Sequence, residues 1–72
     1  MNDYKAERKA VGDRLRDLRM ERSITQKGLA EMANVCRTYL NAVEAGAKPI
    51  SVKMLYSVAA VLKVSVDEII RW

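Results

Sequence analysis

Apolar residues fall at helical intervals along the chain, separated by short polar interruptions. Val11, Leu15 and Leu18 recur at i, i+4 and i+7, which predicts a first helix over residues 4–22 with one apolar stripe. Asp3 stands where an N-cap belongs. Arg14, Arg16, Asp17 and Glu21 lie off that stripe and read as a solvated face laced by short-range ion pairs. Residues 23–25 interrupt the pattern, and the Thr25 hydroxyl can accept from the free amides of a second helix continuing through Ala33. Leu29, Met32 and Ala33 supply its apolar contacts. Gly28 within it costs about 1 kcal/mol relative to alanine, so packing rather than propensity must hold the helix.

Asn34 follows, a residue type that enters the left-handed region cheaply, as the position after a helix requires. A third helix is predicted over residues 37–45, stopped by Gly46 and barred from continuing by Pro49. Ser51 caps a fourth, whose Leu55, Val58, Ala59 and Leu62 keep the helical period. Ser65 and Glu68 have the spacing of a capping box and open a short fifth helix containing Val66, Ile69 and Ile70. The pattern predicts an all-α, compact five-helix unit over residues 1–72, a single domain with a helix-turn-helix near residues 25–46.

Composition narrows the chemistry. Half of the 72 residues are hydrophobic, yet no apolar run approaches the roughly 20 residues of a membrane span. The first ten residues alternate charged and apolar side chains and lack the apolar stretch of a secretory signal, so a cytoplasmic location is expected. One cysteine and no histidine preclude an internal disulfide, a Cys/His zinc site and histidine acid–base catalysis. A helical chain of this length also has little room for a concave catalytic pocket, so no enzyme, metal or cofactor is expected. The net charge is +4, and residues 36–63 carry four basic and one acidic side chain. A mild basic bias of this kind attracts phosphate without identifying it.

The third helix carries the candidate chemistry. At about 100° per residue, Arg37, Asn41, Ala45, Thr38 and Ala42 share one face, whereas Tyr39, Val43, Cys36 and Leu40 form the inward apolar one. Arginine can grip guanine O6 and N7, asparagine can grip adenine N6 and N7, and the methyls of threonine and alanine can pack on a thymine methyl. Ala42 and Ala45 keep that face low enough to enter a groove about 12 Å wide. Read without further context, it is more simply an ordinary solvated surface, since such polar faces are common.

Gln26, Leu29, Ala30, Asn34, Val35, Leu40, Val43, Glu44 and Gly46 together resemble the helix-turn-helix of the Cro and phage-repressor (Xre) family. The stretch Val11-Gly12-Asp13-Arg14-Leu15-Arg16-Asp17-Leu18-Arg19 looks like the family's first helix, and Val64-Ser65-Val66-Asp67-Glu68-Ile69-Ile70 like its closing segment. The resemblance implies a lambda-repressor-like fold and sequence-specific binding of double-stranded DNA. It places Arg37, Thr38, Asn41 and Ala42 at the bases, and Thr25, Gln26, Lys48, Ser51 and Lys53 at the backbone. It also implies that Arg19 and Glu44 form a brace between the first and third helices. Cys36 stands where the family favours serine or threonine, Asn34 where it favours glycine, and Gly28 where it favours an acidic residue.

The triplet Arg37-Thr38-Tyr39 and the length resemble the controller proteins of restriction-modification systems, with a phage or mobile-element repressor as the other candidate. A third reading is an antitoxin or other protein-binding module, with a toxin or similar partner covering Ile69, Ile70 and Trp72. Those three residues are otherwise expected to bury against the fourth helix or, together with that helix, to join two copies into a homodimer on an inverted-repeat operator, since one reading helix offers few base contacts. The Cys36 thiol, beside Arg37 at a helix N-terminus, is a candidate for oxidation, against the simpler role of a small buried N-cap.

Overall fold

The computed structural model describes residues 4–70. Asp3 and Trp72, to which capping and interface roles are ascribed above, lie outside the described residues. Four α-helices follow in order, α1 Tyr4–Glu21, α2 Gln26–Ala33, α3 Arg37–Glu44 and α4 Val52–Leu62, then a single 3-10 turn at Val66–Glu68. There is no strand among the described residues, so the all-α class holds. The expected fifth helix is reduced to that turn. The Glu68 carboxylate accepts from the Ser65 amide at 3.1 Å, but one α-type bond, from the Ile70 amide to Val66 O at 2.8 Å, does not propagate a helix.

Caps set the boundaries. Thr25 Oγ1 accepts from the Gly28 amide at 2.9 Å, and Ser51 Oγ from the Met54 amide at 3.1 Å. Each helix then closes through a residue at positive φ: Ser23 after α1, Asn34 after α2, Gly46 after α3 and Lys63 after α4. After α2, the Val35 amide reaches Ala30 O at 2.9 Å and the Asn34 amide reaches Glu31 O at 3.2 Å. That pair of bonds is a Schellman closure, which satisfies carbonyls that would otherwise be orphaned. Gly46, at φ 78°, does the same for α3 and ends it one residue before the expected Ala45.

The core takes a side chain from each α-helix and from Ile69 just after the turn: Leu15, Leu29, Leu40, Val43, Met54, Val58, Leu62 and Ile69 are all essentially inaccessible. α1 packs on α3, α2 on α3 and α4, and the 3-10 turn on α4. Gly12 permits the first of these. A Cβ there would collide with the carbonyl oxygen of Val43 and come within 2.7 Å of that of Glu44.

Several expectations need correction. Ile69 is fully buried within its own chain, so it belongs to the core and is not free to face a second copy or a toxin. Met32 is 55% exposed and supplies no core contact; Leu29, Ala30 and Ala33 do that for α2. Cys36 is exposed, because the N-cap position lies off the helical wheel that assigned it inward. Arg14 does not sit on a solvated face: half-buried, its Nε donates to the Ile69 carbonyl at 2.7 Å and ties the end of the described chain to α1.

Candidate nucleic-acid interface

The α2–turn–α3 unit gives α3 two distinct sides. Leu40, Val43 and Glu44 are buried, while Arg37, Thr38, Asn41 and Ala45 are exposed and Ala42 is half-buried. Arg37, Thr38 and Asn41 line a shallow hollow of about 380 Å³ together with Gln26, which enters from the first residue of α2. Of the four expected base contacts the structure therefore brings three together. Ala42 lies to their side.

Glu44 fixes how α3 is held. At 4% exposure it is the sole buried charged residue among those described. Its Oε2 accepts from Arg19 Nε at 2.8 Å and its Oε1 from Arg19 Nη2 at 2.9 Å. The remaining Nη1 of Arg19 donates to Ile24 O at 2.9 Å. A two-pronged guanidinium–carboxylate pair sets orientation as well as distance, so it anchors α3 to α1. Gln26 Nε2 adds bonds to Glu44 Oε1 at 3.2 Å and to Asn41 Oδ1 at 3.3 Å. The phosphate-side role expected of Gln26 thus comes with inward contacts that no spacing rule announced.

The expected backbone contacts are distributed unevenly. Ser51 and Lys53 line a second hollow beside Asn34, Cys36 and Tyr39, next to the start of α3. Thr25 sits at the start of α2, one residue before Gln26. Both hydroxyls accept from their own helices, which leaves each O–H proton for an anionic oxygen. Lys48 is exposed but lines a different, apolar groove with Glu7, Arg8, Val11, Ile50 and Ile70. The loop that carries it is tied to α3 by the Tyr39 hydroxyl, which donates to Pro49 O at 2.6 Å.

Cys36 makes no capping hydrogen bond. The backbone of Tyr39, and then that of Thr38, nevertheless favours the thiolate and holds the thiol below its ordinary range. No group of His, Cys, Asp and Glu suited to a metal exists among the described residues. No described helix is long and apolar enough to cross a membrane.

Residues 15–69 match the helix-turn-helix family HTH_3. The immunity repressor protein of Bacillus phage phi105 is 40% identical over 60 residues, which cover 83% of this chain and 42% of the repressor. The restriction-modification controller protein C.AhdI from Aeromonas hydrophila has a similar structure, with a TM-score of 0.85 and 30% identity over 89% of this chain and 97% of that one. SinR, a master regulator for biofilm formation solved in complex with DNA, gives a TM-score of 0.75 and 37% identity, covering 78% of this chain and 90% of that one. The chain spans only 11% to 42% of the length of the curated relatives it matches.

Proposed function

Since the chain belongs to the HTH_3 family of Cro/C1-type helix-turn-helix regulators, which bind DNA, we propose that α3 enters the major groove and reads an operator there. Arg37 and Asn41 are the principal readers, Thr38 and Ala42 supply methyl contacts, and Thr25, the backbone amide of Gln26 at the start of α2, Ser51, Lys48 and Lys53 hold phosphates. One observation carries this reading: the outward side of α3 is the one helical face in the motif where an arginine, a threonine and an asparagine stand exposed together around a hollow. A reading helix needs that combination of donors, an acceptor and a methyl on a low surface.

The protein acts as a homodimer, with inverted half-sites about 34 Å apart on one side of the duplex. It regulates transcription in the manner of a controller protein or phage-type repressor. A protein-masking role through Ile69 loses its support, since that side chain is already covered by its own chain.

Selection of bound duplexes from a random pool defines the operator, and two kinds of variant then separate the roles. Arg37→Ala loses about 1 to 3 kcal/mol on the operator and relaxes preference at one base pair. Lys53→Ala weakens operator and random DNA alike and flattens the salt dependence by about one unit. Equal losses for Arg37→Ala on both DNAs would overturn the assignment.

A further inference from the structure

A hydrogen-bond chain runs from the core to the groove face, and its direction is fixed from the buried end. Glu44, sequestered from water and gripped at both oxygens by Arg19, offers only acceptors. Gln26 lies 3.2 Å from Glu44 Oε1. Only the nitrogen of the Gln26 amide has protons to give, so that nitrogen must face Glu44. The same nitrogen stands 3.3 Å from Asn41 and brings its second proton there. Asn41 must therefore turn its carbonyl oxygen towards Gln26. An amide's two ends look alike by shape, and a network anchored on an acceptor-only group is what tells them apart. The end of Asn41 left for the exposed face is its NH2.

We infer that Gln26 is a positioning residue for base recognition: it engages the Asn41 carbonyl oxygen and thereby presents Asn41 to the major groove as a hydrogen-bond donor. The inference rests on the reading that α3 lies in that groove. Guanine N7 and O6, thymine O4 and adenine N7 accept from such a donor, whereas cytosine offers its N4 donor and is rejected. Adenine also loses the advantage it would have over guanine, because the oxygen that would take its N6 proton is turned towards Gln26. The polarity of one base contact is thus set by a buried ion pair that never touches DNA.

The test uses the full chain and four duplexes that differ only at the position where Asn41→Ala relaxes preference. The wild-type protein should bind the acceptor-bearing bases roughly 5- to 150-fold more tightly than cytosine. Gln26→Met keeps the side-chain bulk but removes both bonds, so the penalty against cytosine should shrink towards parity. Asn41→Asp keeps an oxygen for Gln26 and turns a second one outward, so cytosine should become preferred, read as a ratio because the added charge weakens all four duplexes. The inference is overturned if Gln26→Met weakens all four by a common factor with their order intact, or if Asn41→Asp keeps the wild-type order. Should Gln26→Met fail to fold, the Asn41→Asp order decides alone, since Asn41 is exposed. If Asn41→Ala relaxes no position, the groove reading itself falls and this inference with it.

Discussion

Three arginines in and just after α1 show how one residue type serves different ends according to what surrounds it. Arg14 closes the C-terminal segment, Arg19 orients the reading helix, and Arg22 Nε donates to Leu62 O at 2.8 Å at the end of α4. By contrast Lys9–Asp13 and Arg16–Asp13 are exposed pairs at 3.5 and 3.6 Å, a class worth about 0 to 1 kcal/mol. The Arg19–Glu44 pair is of another kind: removing one partner of such a buried pair typically costs about 3 to 5 kcal/mol because a charge is stranded. Cys36 yields a prediction at the same scale. Its thiol is exposed and held below its ordinary value of 9.0, first by the Tyr39 backbone and then by that of Thr38. The pH profile of its alkylation by iodoacetamide should therefore rise at lower pH in the folded protein than in urea. Coincident profiles would show that the helix start does not favour the thiolate. Bound operator should slow the reaction if the start of α3 lies in the groove.

Among elements, α1 and α3 approach closely, and Gly12 makes this possible. Any side chain there meets the backbone carbonyls of Val43 and Glu44, the last residues of the reading helix. Backbone cannot rotate away as a side chain can, so Gly12→Ala must push α1 and α3 apart. The expected loss is about 3 kcal/mol, at the upper end of overpacking, and it should be accompanied by weaker operator binding because the Arg19–Glu44 bond spans the same seam. Urea unfolding measures the first and titration of the operator the second. A stable Gly12→Ala protein with unchanged binding would show that α1 and α3 do not meet as described.

For the molecule as a whole, the issue is how two copies meet. Ile69 is consumed by the core, so Ile69→Asp would bury a carboxylate and unfold the chain whether or not a dimer exists. Ile70, half-buried at the rim of the apolar groove, is the appropriate position. Sedimentation of the wild-type protein at micromolar concentration should give a dimer. Ile70→Asp combined with removal of Trp72 should give a folded monomer with much weaker operator binding. A wild-type monomer both with and without DNA would refute the dimer, and an undisturbed dimer in the double variant would move the interface elsewhere. The exposed α4 positions Val52 and Tyr56, 70% and 61% accessible, are then the next to substitute.

What the sequence determined by itself is local. Caps at Thr25 and Ser51, the breaks at Asn34 and Gly46, and the apolar periods of α1 and α4 are encoded within a few residues of where they act. The outward grouping of Arg37, Thr38 and Asn41 follows from the pitch of a helix, and the resemblance to Cro-type regulators rests on residues around them, among them Gln26, Ala30, Asn34, Glu44 and Gly46. Met54 was legible too, four residues before Val58 on the same stripe, although the period was read from Leu55 onward. Tertiary structure decided everything that depends on distant segments meeting. It made Ile69 core instead of surface, because that side chain joins the buried cluster built from all four helices. It left Met32 uncovered, and gave Arg14 a carbonyl 55 residues away. It also joined Arg19, Glu44, Gln26 and Asn41 into one chain of bonds. Helical period tells which side a residue faces, but not which side is covered by another helix, and a hydrogen-bond network acquires a direction only when its acceptor-only member is buried against a guanidinium.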